Sequence, residues 1–172
     1  LAKPAIHRKQ LITNAGNSAK FAANYNRADM FYKNTLKATI EKRYLKNVPE
    51  DAAFYKKHID LTIKKDNRSV TIIEKSRDQD WNELYLEIYS DYPNEKGWVF
   101  KSEAEYLAYF FPGRVWYTKL EPIKNFCESI FSKMECSGIF KDLMYQYPNA
   151  SGKLSKAIKI NVKTYSLNFY KV

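Results

Sequence analysis

Histidine and cysteine are scarce in this chain, with two residues of each type among 172. His7, His58, Cys127 and Cys136 do not have the close spacing of a zinc-ligand set. A disulfide between the two cysteines is one alternative. The other is a pair of reduced thiols, which is the usual state in the cytosol. The scarcity therefore argues against a structural zinc site.

Long apolar runs are also missing. No stretch approaches the roughly 20 residues that a membrane span needs, and none has the pattern of a signal peptide. We therefore expect no membrane partner and a cytoplasmic location, which is the host cytoplasm if the protein is viral.

Acidic residues are fewer than basic ones, 19 against 29, which gives a formal net charge of +10. Such a surface attracts polyanions, of which nucleic acid is the commonest. A solvated basic surface without a partner is the alternative. Residues 1–28 contain no acid at all. We interpret them as a basic N-terminal arm, with a packed helical lead-in as the alternative, and residues 29–172 as a single domain.

Hydrophobic periodicity predicts the order of the elements. Apolar residues at near-helical spacing predict a helix over residues 29–48, and Pro49 ends that pattern. Three strands follow, around residues 59–63, 70–73 and 84–89. Ser102 and Glu105 have the spacing of a capping box, which predicts a helix over residues 102–111. A strand over residues 115–117, a helix over 121–134 and two strands within 157–172 complete the pattern.

The predicted fold class is therefore α/β. Its core has the order αβββαβ, with a mixed central sheet flanked by helices. The last helix and the two tail strands form a C-terminal helix and hairpin extension.

Each of the three consecutive strands carries one acid. These residues are Asp60, Glu74 and Glu87, and Lys75 directly follows Glu74. Carboxylates on adjacent strands repel one another unless a cation lies between them. Oxygen ligands of this kind suit Mg²⁺, so the pattern indicates a divalent-metal site.

The stretch from Asp60 to Phe111 resembles small phage-encoded members of the PD-(D/E)XK nuclease superfamily. The matching residues are Asp60, Glu74-Lys75, Leu86-Glu87-Ile88, Gly97-Trp98, Ala104, Tyr106 and Tyr109. The resemblance covers about a third of the chain. It implies Mg²⁺ or Mn²⁺ as cofactor, held by Asp60, Glu74 and Glu87. It also implies catalytic roles for Glu74 and for Lys75, which would position or activate water.

One departure from the family pattern matters. The family has acid-x-Lys, whereas this chain has Ile73-Glu74-Lys75. If Lys75 is the family lysine, the acid position holds Ile73. If Glu74 is the family acid, the lysine position holds Ser76. Neighbours on a strand point to opposite faces, so Glu74 and Lys75 share a site only if the strand bulges. Either Glu87 supplies the missing ligand, or the site has lost its catalysis.

The leading hypothesis is a metal-dependent nuclease, phage- or mobile-element-encoded, that hydrolyses phosphodiester bonds in DNA rather than RNA. A homodimer is plausible, since small nucleases of this type often need two sites to cut both strands. An inactive nuclease fold that binds nucleic acid or blocks a protein partner is one alternative, and a viral assembly protein with a basic surface is another. Six basic residues are candidates for nucleic-acid contacts: Arg8, Lys9, Arg77, Lys153, Lys156 and Lys159.

Overall fold

The protein is described here from a computed structural model that covers residues 26–80, 82–137, 144–149, 151–161 and 170–171. These residues form a mixed α/β fold with few helices, a six-stranded mixed sheet and a four-stranded antiparallel sheet. Within these ranges no helix is long and apolar enough to cross a membrane.

Four helices are present in the described ranges. Helix α1 comprises α-helical residues 26–30 and the π-helical turn Phe31–Thr35. A 3₁₀ turn, Pro49–Asp51, leads into α2. The remaining helices are α2 (Ala52–Lys56), α3 (Trp98–Lys101) and α4 (Leu120–Ser137).

The six-stranded sheet has the order β1-β2-β3-β6-β7-β10. Its strands are β1 (Thr39–Arg43), β2 (Leu61–Lys65), β3 (Arg68–Ser76), β6 (Tyr106–Phe111), β7 (Arg114–Lys119) and β10 (Tyr170–Lys171). Neighbouring strands are antiparallel except β3 and β6, which are parallel. Asp66 and Asn67 close the β2–β3 hairpin with positive φ angles of 51° and 62°, as two-residue hairpin turns require.

The four-stranded sheet has the order β5-β4-β9-β8. Its strands are β4 (Glu83–Asp91), β5 (Glu95–Lys96), β8 (Met144–Pro148) and β9 (Leu154–Asn161). Strands β4 and β5 lie between β3 and β6 in the sequence, so the crossover that joins the two parallel strands contributes half of the second sheet.

A separate hydrophobic layer covers each face of the six-stranded sheet. On one face, Phe31 and Tyr32 of α1 pack with Ile72 and Phe110. On the other, Ile73 packs with β4, β9 and α4. Strand β3 therefore alternates between two cores, with Ile72 in one and Ile73 in the other.

The predicted helix over residues 29–48 is correct only as far as residue 35. Lys37 has a positive φ of 54°, and residues 39–43 form edge strand β1, paired with β2. Apolar residues at helical spacing thus belong to two different elements. The β-branched Thr39 and Ile40 favour the strand, and pairing with β2 satisfies its backbone groups.

The predicted helix over residues 102–111 is wrong, because residues 106–111 form strand β6. Its run of apolar residues is nearly all buried, as in a strand covered on both faces. Ser102 does not cap a helix. Its hydroxyl donates to the His58 carbonyl at 2.8 Å and accepts from the Ala104 amide at 3.2 Å.

The strands predicted around residues 59–63, 70–73, 84–89 and 115–117 correspond to β2, β3, β4 and β7, and the helix predicted over 121–134 lies within α4. However, β4 belongs to the second sheet. The predicted C-terminal hairpin is wrong as well, because β9 pairs with β4 and β8 whereas β10 pairs with β7. Most of the predicted arm, residues 1–25, lies outside the described residues. Residues 26–28 belong to α1.

Gly97 joins β5 to α3 and provides a test of how these elements pack. A Cβ atom there would lie 2.4 Å from the carbonyl oxygen of Glu87 in β4. We expect Gly97→Ala to lower the free energy of unfolding by about 1–3 kcal/mol, because backbone must move. Urea unfolding would show this as a lower midpoint.

The matched control is Asn94→Ala in the exposed turn just before β5. It should change the free energy of unfolding by no more than about 0.5 kcal/mol. Equal midpoints for the two variants would contradict the close packing of Gly97 on β4.

Candidate active site

Asp60 lies immediately before β2, between β1 and β3. Its amide donates to the carbonyl of Ile72 at 2.9 Å, and its carbonyl accepts from the amide of Tyr44 at 2.8 Å. Its carboxylate Oδ2 accepts a hydrogen bond from the amide of Glu74 at 2.7 Å. The two neighbouring strands thus fix Asp60 beside the acid-lysine pair.

Glu74 and Lys75 point to opposite faces of β3, as the strand period requires. Ile72 and Ile73 define these faces, since each lies in a different hydrophobic layer. Glu74 shares the α1 face with Ile72, and Lys75 shares the other face with Ile73. Asp60 directly precedes Leu61, the partner of Ile72, and its charge raises the pKa of both Glu74 and Lys75.

On the α1 face, Glu74 is held by two donors. The Tyr32 hydroxyl donates to Oε1 at 2.8 Å, and Arg43 Nη1 donates to Oε2 at 2.8 Å. Arg43 also forms an ion pair with Asp29. Burial raises the pKa of Glu74, although Arg43 opposes that shift. Burial and the nearby Glu74 also raise the pKa of Tyr32.

On the opposite face, the negative charges of two carboxylates act on Lys75. Its Nζ is 5.1 Å from the centre of the Trp98 ring. Burial lowers the pKa of Lys75, whereas the charges of Asp60 and Glu87 raise it. The carboxylates therefore offset part of the desolvation cost of a buried ammonium group.

His58 and Glu87 complete the group that we name the Asp60 cluster: His58, Asp60, Lys75 and Glu87. Burial lowers the pKa of His58, Lys75 and Lys101 lower it further, and Asp60 and Glu87 oppose them. Glu87 Oε2 accepts a hydrogen bond from the Tyr147 hydroxyl at 2.9 Å. Asp60, Lys75 and Glu87, three of the four predicted residues, thus interact electrostatically, and Asp60 also acts on the fourth, Glu74.

A pocket of about 220 Å³ lies at this end of the six-stranded sheet. Its lining includes Arg27, Arg43, Asp60, Glu74 and Lys75. Carboxylates and cations of both faces therefore border one space.

The structure does not gather Asp60, Glu74 and Glu87 into one three-carboxylate group. Across the described ranges, no three His, Cys, Asp or Glu side chains are arranged so that they could hold a metal. Both oxygens of Glu74 have protein donors on the α1 face. Asp60 and Glu87 are the two carboxylates whose charges act on Lys75.

Sequence reasoning missed Tyr32 and Arg43. The helix predicted over residues 29–48 gave Arg43 no partner on a neighbouring strand. Residue type was the available signal, because Arg43 is the one arginine of residues 29–48. Arginine suits buried ion pairs better than lysine.

The basic residues predicted to contact nucleic acid have varied surroundings. Arg8 and Lys9 lie outside the described residues. Arg77 donates to the Tyr109 hydroxyl at 3.2 Å. Lys153 pairs with Asp91 at 3.2 Å, Lys159 pairs with Glu83 at 3.1 Å, and Lys156 Nζ lies 3.2 Å from the centre of the Tyr92 ring.

Replacing Arg43 tests the charge network on the α1 face. We expect Arg43→Gln to lower the free energy of unfolding by about 3 kcal/mol, because Glu74 loses its buried cation. Without that cation the pKa of Glu74 in the folded state rises further. A carboxyl group whose pKa is higher in the folded than in the unfolded state lowers the free energy of unfolding as the pH rises through that pKa. The loss should therefore be larger at about pH 8 than at about pH 5.

The control is Lys57→Gln, which breaks the exposed pair with Glu103. It should cost no more than about 1 kcal/mol. Denaturant unfolding of both variants at the two pH values is the measurement. A loss for Arg43→Gln that does not grow with pH would contradict the assigned role of Glu74.

The chain was compared with protein-family models, with curated proteins and with solved structures, and none of the three comparisons gave a match.

Proposed function

We propose that this protein is a metal-dependent nuclease that hydrolyses phosphodiester bonds in DNA. The observation that carries the proposal is the Asp60 cluster, in which Lys75 and Asp60 line the same pocket and the charges of Asp60 and Glu87 act on Lys75. Two carboxylates and a lysine at one end of a sheet are the residue types that the PD-(D/E)XK resemblance implies.

Asp60 and Glu87 would hold Mg²⁺ or Mn²⁺. When bound, such an ion lowers the pKa of a water ligand and offsets charge that develops on the phosphate. Asp60 is already oriented by the Glu74 amide and Glu87 by the Tyr147 hydroxyl. Glu74 is left out of this set, because its two oxygens bind Tyr32 and Arg43.

Lys75 would place a positive charge beside the reacting phosphate. Its burial matters because an ammonium group acts more strongly in a site that excludes water. The Trp98 ring covers part of its surroundings and favours the charged form through a cation–π contact.

A nuclease fold without catalysis, which binds nucleic acid, is the second candidate. Ile73 supports it, because this residue stands two places before Lys75 and is only 1% exposed in the hydrophobic core. The ion pair of Glu74 with Arg43 supports it as well. Both observations concern the acid-x-Lys position, where the family places a metal ligand.

Cleavage of supercoiled and of single-stranded DNA with Mg²⁺, Mn²⁺ or EDTA tests the proposal. We expect metal-dependent nicking by the wild type and a loss of about 100-fold or more in Asp60→Asn and in Lys75→Met. Asp66→Asn is the matched control, since Asp66 is an exposed acid at the β2–β3 turn. It should cut like the wild type.

Two results would separate the candidates. Salt-sensitive DNA binding without cutting under either metal would overturn the nuclease and leave the binding protein. Cutting that persists in Asp60→Asn at the wild-type rate would place the activity elsewhere.

A further inference from the structure

The four-stranded sheet has a polar face turned away from the core. Leu84 and Leu86 of β4 and Ile158 of β9 point into the hydrophobic layer. The residues between them lie on the opposite face, where Tyr85 is paired with Lys159 and Glu87 with Ala157. Directly opposite residues share a face, so tyrosine, carboxylate and lysine lie together there.

Edge strand β8 adds two more tyrosines to this face. Tyr145 is paired with Ala157 and Tyr147 with Ser155. The small Ala157 leaves space above β9, and three rings close over it. The Tyr145 and Tyr147 centroids are 5.7 Å apart in a stacked arrangement, and Tyr85 meets them edge-on at 5.7 and 5.5 Å.

Cations lie beside these rings. The Arg77 guanidinium is 5.1 Å from the centre of the Tyr85 ring, and Lys159 Nζ is 5.1 Å from that of Tyr145. Tyr145 is 44% exposed, so its ring is accessible to a ligand. We name this surface the tyrosine face: Arg77, Tyr85, Tyr145, Tyr147 and Lys159.

We propose that the tyrosine face binds single-stranded nucleic acid, with a base stacked on Tyr145 and phosphates beside Arg77 and Lys159. Rings that accept unpaired bases, next to cations that follow the backbone, are the usual means of binding single strands. Bases in a duplex are already stacked on their neighbours, so the face discriminates against double strands. The choice of ligand rests on the proposed function and on the net charge of +10.

The tyrosine face and the Asp60 cluster meet at Glu87. This carboxylate accepts a hydrogen bond from Tyr147 and acts electrostatically on Lys75. A strand held on the tyrosines therefore lies next to Glu87, one of the two carboxylates proposed to hold the metal. This arrangement assigns single-stranded regions as the substrate class.

Binding in EDTA tests the inference without any cleavage. Fluorescence anisotropy would be measured with labelled oligothymidylate, oligouridylate and a DNA duplex. We expect tighter binding of the single strands than of the duplex, and about tenfold weaker single-strand binding by Tyr145→Ala. DNA and RNA should lose affinity alike, because a stacked ring contacts the base and not the sugar.

Two control variants separate stacking from loss of structure. Tyr145→Phe keeps the ring, and Tyr55→Ala removes a similarly exposed tyrosine in α2; both should bind like the wild type. Unchanged binding by Tyr145→Ala, or equal affinity for duplex and single strand, would overturn the inference. Neither result would contradict the proposed nuclease activity. A protein that binds as expected but never cuts would overturn only the proposed function.

Discussion

Hydrophobic layers cover both faces of β3, and the arrangement of the site depends on this constraint. A strand in this position sends alternate side chains into different cores, so Ile72 and Ile73 are both buried although they point in opposite directions. The same alternation separates Glu74 from Lys75. Glu74 therefore points towards α1, and its neighbour Lys75 points towards the second sheet. Only near the end of the strand, at the pocket, do both residues border a common space.

The charged side chains Glu74 and Lys75 are stabilised in different ways on the two faces of the six-stranded sheet. On the α1 face, the ion pair with Arg43 offsets the negative charge of Glu74. The hydrogen bond from Tyr32 links the helix to the sheet. On the other face, Lys75 has carboxylates nearby but a tryptophan ring as its close neighbour. A direct ion pair fixes the positions of both side chains. A cation that is attracted by carboxylates without contacting them is available to a ligand. This difference is the reason for assigning the first set to stability and the second to chemistry.

The sequence predicts several of the strands, because its alternations at residues 59–63 and 84–89 correspond to β2 and β4, and its apolar run at residues 70–73 corresponds to part of β3. It also predicts that Glu74 and Lys75 diverge, since this follows from strand geometry alone. It fails at residues 102–111, where a capping-box pattern and apolar spacing indicate a helix but burial between β3 and β7 requires a strand. Local propensity is outweighed there by tertiary pairing. Arg43 was missed for the same reason, because its partner Glu74 becomes a neighbour only when β1 joins the sheet.

The connection between β3 and β6 has a consequence for how the chain acquires its structure. These adjacent parallel strands are separated in the sequence by β4, β5 and α3, and β4 in turn pairs with β9 near the end of the described chain. Pairings between distant segments form slowly, because the loop must close before any contact repays its entropy. During synthesis, β4 has only the short β5 beside it until residues 154–161 emerge. Elements made earlier can cover the inner face of β4, but the second sheet is completed only after α4 and β8 have been made.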